Sequence, residues 1–166
     1  LQRAAEMTIF CNPLTNSFQR LGEFEAPKYI TWSHQNSRPL ITVPLSEDST
    51  AHRFKLRAFD GCINPYIVFA LLIHAGLDGI ERKLELPPEA TAETLKLTDR
   101  QMVEAGYTPL PRSLKEALDV FEDSQFMKDA LGEHIHSFFL KKKRAEWHKF
   151  ESTITEWEIK HYLANS

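Results

Sequence analysis

Cysteine is almost missing from this chain, which has only Cys11 and Cys62 among its 166 residues. Two cysteines are too few for a disulfide-stapled scaffold and fit a protein of a reducing compartment. Long hydrophobic runs are missing too, because the longest, residues 66–73, is far shorter than the roughly 20 residues of a membrane-spanning helix. No basic segment followed by an apolar stretch indicates a signal peptide. These absences predict a cytoplasmic protein without a membrane anchor.

Positive charge is not in excess, since the formal net charge is −3 at pH 7. This charge predicts no general attraction to nucleic acid or to anionic membranes. A hydrophobic content of 42% and a charged content of 26% are typical of globular proteins. The length suffices for one domain or for part of a larger one. The chain begins at Leu1, without methionine, inside a helix-like stretch. That start suggests a piece of a longer protein, although a trimmed numbering would look the same.

The first 60 residues have the two-residue period of β-strands. Candidate strands cover residues 28–33, 39–43 and 53–59. The third alternates most clearly, with one face predicted to carry Phe54, Leu56 and Ala58 and the other Arg53, Lys55 and Arg57. We therefore expect an antiparallel sheet in this part of the chain.

A helical pattern begins at Asn64, a good N-cap residue that is followed by Pro65. The predicted helix, residues 64–84, is apolar on nearly all sides through Ile73, so we expect it to be buried. Residues 84–112 contain four of the nine prolines and are predicted to form a long surface connection.

The C-terminal part, residues 113–163, is predicted to be a helical tail. Ser113 and Glu116 have the spacing of a capping box, and Thr155 and Glu158 repeat it near the end. The predicted fold is therefore α+β. One partial domain, residues 1–166, would contain a strand-rich segment (1–60), a buried helix (64–84) and the tail.

Seven stretches together carry a family resemblance, which covers the chain from about residue 11 to its end. They are "NPLTNSFQRL", "EFEAPKYITWSHQN", "NPYIVFALLIHAGLDGI", "LPRSLKEAL", "ALGEHI", "KRAEW" and "TEWEIKHYL". In this order and spacing they resemble the C-terminal part of the glutamine synthetase catalytic domain.

The resemblance implies an ATP- and magnesium-dependent ligase. Such an enzyme phosphorylates the γ-carboxylate of glutamate, and ammonia or another amine attacks the acyl phosphate. It also implies a homo-oligomeric ring whose active sites are shared between subunits. The family's other metal ligands lie upstream in relatives, so this polypeptide alone is not expected to be active.

Arg20 matches a family arginine that holds the substrate's carboxylate, a task that suits the fork of a guanidinium. The alternative is a surface arginine in a loop. Glu25 matches the glutamate of the flap, which takes a proton from the amine and shields the acyl phosphate from water. Because the loop is one residue shorter than in typical relatives, the alternatives are that Glu23 is the functional carboxylate or that neither glutamate is. Arg57 matches an arginine that helps to bind glutamate.

Several positions depart from the family pattern. Ser37 and Thr42 replace arginines that grip phosphates, and Arg38 lies one residue out of register. Lys55 replaces a glutamate that binds magnesium, and an ammonium cannot ligate a hard cation. No metal ligand is therefore predicted in this chain. Leu84 stands where some bacterial relatives carry an adenylylated tyrosine, so that regulation is not expected.

Arg53 and Ser33 are the predicted nucleotide-binding residues. The row Arg53, Lys55 and Arg57 could bind a phosphate or another polyanion without metal, or it could be the solvated face of a strand. Two functions therefore remain open. One is a glutamine-synthetase-like ligase, and the other is a non-catalytic family member with a binding, regulatory or structural role.

Overall fold

Seven α-helices and three short strands lie in residues 1–35, 38–45 and 53–163, the part of the chain that the computed structural model describes. The helices are α1 (Ala4–Cys11), α2 (Pro65–Glu81), α3 (Asp99–Glu104), α4 (Leu114–Asp123), α5 (Gln125–Leu131), α6 (Glu133–Glu151) and α7 (Glu156–Glu158). The strands are β1 (Trp32–Ser33), β2 (Ile41–Thr42) and β3 (Lys55–Leu56). Residues Thr15–Arg20 and Thr94–Lys96 form 3₁₀ helices, and Ile159–Leu163 form a π-helical turn.

The core lies where α4 packs between α1 and α6. The apolar residues of α4 have helical spacing and form one stripe, and Leu114, Leu118 and Phe121 are all 0% exposed. Phe121 lies edge-on to Phe10 of α1, with their ring centroids 5.6 Å apart. Burial of each such side chain contributes about 1.5–3 kcal/mol, so this packing holds the helical part together.

The sheet has the order β1-β2-β3, and the prediction of a purely antiparallel sheet is wrong. β2 and β3 are antiparallel, but β1 and β2 run parallel, with Trp32 opposite Ile41. The candidate strand over residues 28–33 is divided, because its first part pairs with residues 108–110 instead. There the Ile30 N–H donates to the Thr108 carbonyl at 2.8 Å. Alternation marks which residues extend, but it does not specify the partner of a strand.

Helix α2 begins as predicted, because the Asn64 side chain accepts hydrogen bonds from the backbone N–H groups of Tyr66 and Ile67. The prediction that this helix is buried is wrong. Val68 and Leu71 are buried, whereas Tyr66 is 86% exposed and Ile80 is 74% exposed. One side of α2 faces α1 and the core, and the other side is apolar surface in the described part of the chain. An all-apolar sequence reports how hydrophobic a helix is, not how much of it neighbours cover.

Residues 84–112 are mostly exposed, as predicted for a surface connection, but they also contain a short helix that was not predicted. Thr98 and Gln101 form a capping box that starts this helix, α3, and its Met102 is 3% exposed. Ala90 is 0% exposed, and its N–H donates to the Trp32 carbonyl at 2.9 Å, which fastens this segment to β1. A few buried side chains therefore anchor a connection that is otherwise mostly exposed.

The caps of the tail largely follow the prediction. Ser113 accepts a hydrogen bond from the Glu116 N–H at 3.1 Å, but the Glu116 carboxylate binds the N–H of Arg112, so the reciprocal half of the box is displaced by one residue. Thr155 and Glu158 form a complete capping box. Within the described ranges, no helix has the length and hydropathy to cross a membrane.

Candidate functional site

The polar face of the sheet is built from residues that are paired across the strands. Ser33 pairs with Thr42, and Thr42 with Lys55, and residues opposite one another share a face. On the other face, Ile41 and Leu56 pack against the core. Arg57 follows Lys55 by two residues, and its Nε lies 3.5 Å from the Thr42 hydroxyl. The two-sided pattern predicted for β3 is therefore present at Lys55, Leu56 and Arg57.

Glu25 reaches this face from the loop 21–26. This loop turns sharply at Gly22, whose φ is 91°, and Phe24 has a φ of 52° and is 96% exposed. The Glu25 Oε2 lies 3.8 Å from the Arg57 Nη1. The structure thus brings together two predicted site residues that are far apart in sequence. The Glu25 side chain is 70% exposed, so the pair is solvated and weak.

Arg20 points inward rather than into solvent. Its Nη2 donates to the Asn12 Oδ1 at 2.9 Å and to the Ala58 carbonyl at 2.5 Å. Its Nε is buried without a hydrogen-bond partner in the described part of the chain. Burial lowers the pKa of Arg20, and the nearby Asp60 carboxylate opposes that shift. Arg20 is therefore a half-buried, fixed guanidinium and not a surface arginine.

Asp60 lies near Arg20, and the sequence patterns did not predict it as a site residue. It accepts a short hydrogen bond from the Ser17 hydroxyl and another from the Cys62 N–H at 3.2 Å. The Ser17 hydrogen bond is the main reason why the pKa of Asp60 lies below its usual value. Asn12 was passed over as well. Asn12 begins the motif "NPLTNSFQRL". Its position at the start of this motif, beside Pro13, was the sequence signal that could have identified it.

Ser33, a predicted nucleotide-binding residue, is 1% exposed and donates to the Glu89 carboxylate at 2.9 Å. The same carboxylate accepts the His34 N–H at 2.6 Å and lies 3.1 Å from the His34 Nδ1. These hydrogen bonds lower the pKa of Glu89 to about 2, and the hydrogen bond from the His34 backbone N–H has the largest effect. Ser33 is thus part of the contact that fastens residues 87–90 to β1.

The other residues at predicted phosphate-side positions differ in exposure. Arg53 and Arg38 are exposed, Thr42 is 8% exposed, and Ser37 lies outside the described residues. The contact between predicted site residues from distant parts of the sequence is therefore on the glutamate side, between Glu25 and Arg57.

The residues present do not fit a magnesium ion. Throughout the described ranges, no group of three or more His, Cys, Asp or Glu residues could hold a metal. Lys55, at the position for which the resemblance implies an acidic ligand, is exposed on the polar face. Its ammonium would repel a divalent cation. No chemical step is therefore assigned to a metal at these residues.

A separate apolar cavity of about 930 Å³ lies on the opposite side of the sheet from Lys55. It is bounded by α1, α2 and residues 83–88 and 105–108, and its floor includes Ile41 and Leu56. Leu84 lines this cavity. Glu25, Arg57 and Arg20 do not line it, so the predicted site and this cavity are different places.

Comparison with known proteins places this arrangement in a family. The family model for the catalytic domain of glutamine synthetase matches residues 1–162. The chain belongs to the glutamine synthetase family. It is 39% identical to the glutamine synthetase of Methanosarcina mazei over 165 residues, which are 99% of this chain and 37% of that protein. It is 37% identical to that of Staphylococcus epidermidis, over 98% of this chain and 36% of the relative.

Solved structures agree with the glutamine synthetase family. The chain resembles a complex of GmaS with ADP at a TM-score of 0.78 and 30% identity, over 98% of this chain and 37% of that one. It resembles ligand-free GmaS at a TM-score of 0.77 and 31% identity, over 98% and 36%. The chain therefore spans little more than a third of the length of these relatives. The predicted family is confirmed.

Proposed function

We propose that this chain forms the glutamate-side part of a glutamine-synthetase-like ligase. Such a ligase joins ammonia or another amine to the γ-carboxylate of glutamate through an acyl phosphate, with ATP as the phosphoryl donor. The observation that carries the proposal is the proximity of the Arg57 guanidinium and the Glu25 carboxylate, 3.8 Å apart over the polar face of the sheet. Membership in the family supports the reaction class.

The two side chains suit complementary tasks. Arg57 offers a guanidinium that is 27% exposed, which suits bidentate binding of a substrate carboxylate. Glu25, on the exposed loop 21–26, presents a carboxylate that is 70% exposed and suits removal of a proton from the attacking amine. Closing of this loop over bound glutamate would also exclude water from the acyl phosphate.

ATP and magnesium enter as the family's requirements. The described residues do not form a magnesium site, so we propose that the 166-residue chain alone is inactive. Arg53 stays a proposed nucleotide contact because it is exposed next to β3. Ser33 is a weaker one, because its hydroxyl already binds Glu89.

A non-catalytic family member is the second candidate. The observation in its favour is the pair Thr42 and Lys55, which lie opposite each other on the polar face. The family resemblance implies an arginine and a glutamate at these positions. Loss of one electrostatic donor costs about 10²–10³ in rate, so the combined substitutions could leave a binding protein without turnover.

We also propose that the full-length protein forms a ring-shaped homo-oligomer in the cytoplasm. The exposed apolar residues of α2, such as Tyr66 and Ile80, support additional contacts with other protein surface. Both cysteines are free, Cys11 buried and Cys62 exposed, which fits a reducing compartment.

Phosphate release by the full polypeptide encoded by the gene tests the proposal, with ATP, magnesium, glutamate and ammonia supplied together. We expect release that depends on both glutamate and ammonia. In Glu25→Gln, kcat should fall about 100-fold, since a general base contributes roughly 10²–10⁴. The matched variant Glu23→Gln should retain activity. If Glu23→Gln loses activity and Glu25→Gln retains it, Glu23 is the general base. ADP binding without any turnover would favour the non-catalytic member.

A further inference from the structure

Asn12, at the end of α1, joins three segments of the chain through one side chain. It is 0% exposed. Its Nδ2 donates to the Ala58 carbonyl at 3.0 Å and to the Thr8 carbonyl at 3.4 Å, and its Oδ1 accepts from the Arg20 Nη2. An amide suits this position because it offers a donor and an acceptor on the same planar group.

The Ala58 carbonyl is the meeting point of this network. It accepts from both Asn12 and Arg20, and it belongs to the residue that follows Arg57. The adjoining chain is fastened to α1 as well, since the Asp60 N–H donates to the Cys11 carbonyl at 2.8 Å. Arg20 and the segment that follows Arg57 are therefore hydrogen-bonded to the same end of α1. Arg20 and Arg57 are the two arginines that match glutamate-binding arginines in the family resemblance.

The neutrality of Asn12 matters for this arrangement. A carboxylate at this position would form an ion pair with Arg20 and would cancel much of its charge. The amide oxygen holds the guanidinium with a hydrogen bond but leaves its charge for an anionic ligand. Asp60, which also lies near Arg20, directs its carboxylate to Ser17 and the Cys62 N–H.

We propose that Asn12 is a positioning residue for the glutamate pocket, setting the orientation of Arg20 and its spacing from Arg57. This inference rests on the proposed function, because it assigns these arginines to glutamate. Asn12 itself does not touch the substrate in this scheme. It acts by fixing a half-buried guanidinium that would otherwise adopt several rotamers.

Glutamate binding to the full polypeptide, measured by titration calorimetry, tests the inference. Asn12→Ala removes all three hydrogen bonds of this side chain, including the one to Arg20, and should weaken glutamate binding about tenfold or more, as expected for loss of a hydrogen bond to a charged group. Asn12→Asp keeps the size of the side chain, so it covers the case in which the alanine variant does not fold. Asn12→Asp should weaken glutamate binding as well. Its carboxylate would neutralise Arg20 and would place an oxygen, which cannot donate a hydrogen bond, against the Ala58 carbonyl.

Thr8→Ala is the matched control on the same helix. Thr8 is 1% exposed and its hydroxyl donates to the Ala4 carbonyl at 2.8 Å, away from Arg20. It should lower Tm while glutamate affinity changes less than twofold. Asn12 variants that lower Tm but keep the glutamate Kd would overturn the positioning role. Wild-type protein that does not bind glutamate would instead overturn the proposed function. A crystal structure of Asn12→Ala with Arg20 unmoved would contradict the positioning role independently of activity.

Discussion

The packed helices α4 and α6 and the polar face of the sheet are held together in different ways. In α4, Leu114, Leu118 and Phe121 are fully covered, and the buried His136 of α6 stacks on Phe121 and lies 3.0 Å from the Phe121 carbonyl. On the sheet, strands of only two residues carry Lys55 and Arg57, and the pair between Arg57 and Glu25 is long and solvated. Stability is therefore concentrated in the helices.

Under the proposed function, this difference separates stability from binding. Residues that react or bind must stay accessible and exchange partners, so they contribute little to stability. The helical core supplies the free energy that keeps the loop 21–26 and the strand face in place. Substitutions in the two regions should accordingly separate stability from binding.

The largest effect on stability is expected for Phe121→Ala. Phe121 is 0% exposed and contacts the rings of Phe10, His136 and Phe139. Truncation should lower the free energy of unfolding by about 3–5 kcal/mol. Urea unfolding followed by circular dichroism measures this change. Phe138→Ala, which removes a ring that is 64% exposed, should cost much less, and equal losses would contradict the location of the core.

Arg57→Gln should produce the complementary result. Loss of a charged hydrogen-bond donor should weaken glutamate binding by about ten- to a hundredfold. Because the ion pair with Glu25 is solvated, the free energy of unfolding should change by less than about 1 kcal/mol. The control is Arg100→Gln, whose side chain is 88% exposed on α3. A large loss of stability in Arg57→Gln, with unchanged binding, would make Arg57 a structural residue.

Ser113→Ala tests the start of α4. The substitution removes the hydroxyl that accepts the Glu116 N–H at 3.1 Å, and loss of such a cap costs about 1 kcal/mol. Urea unfolding should show this decrease. Ser152→Ala, at the exposed end of α6, should cost less than about 0.5 kcal/mol. A larger loss at Ser152 than at Ser113 would contradict this ranking of the two ends.

The smallest effect is expected from Glu89, whose carboxylate is partly solvated. Its pKa is about 2 in the folded chain, below the ordinary value of 4.5. The carboxylate therefore contributes stability that is fully present above pH 4.5 and is lost as the pH falls through about 2. The Tm of the wild type should exceed that of Glu89→Gln near pH 6, and the difference should shrink towards pH 2. A difference that grows on acidification would contradict this role.

Local sequence patterns predicted the starts of α2, α4 and α7 but not α3. Asn64 and Thr155 cap α2 and α7 as expected, and the stripe of α4 is buried. Caps and stripes depend on residues within one or two turns, so the local sequence contains the information. The exposure of α2 and the parallel pairing of β1 with β2 depend on distant segments, and these were predicted wrongly.

The candidate site divides in the same way. The resemblance singled out Glu25 and Arg57, and the structure puts them 3.8 Å apart. It did not single out Asn12, Asp60 or Glu89, because their roles arise from contacts with carbonyls, hydroxyls and N–H groups elsewhere in the chain. Such backbone partners have no signature in the sequence.

By itself, the sequence determined the family, the helices with their caps and the amphipathic alternation around Lys55. These depend on residue identity and short-range spacing. Only the tertiary structure decided that Arg20 is drawn inward by Asn12 and the Ala58 carbonyl, while Arg57 stays accessible beside Glu25. The physical reason is that the surroundings of a guanidinium are set by groups brought together through folding, and its own sequence neighbours do not encode them.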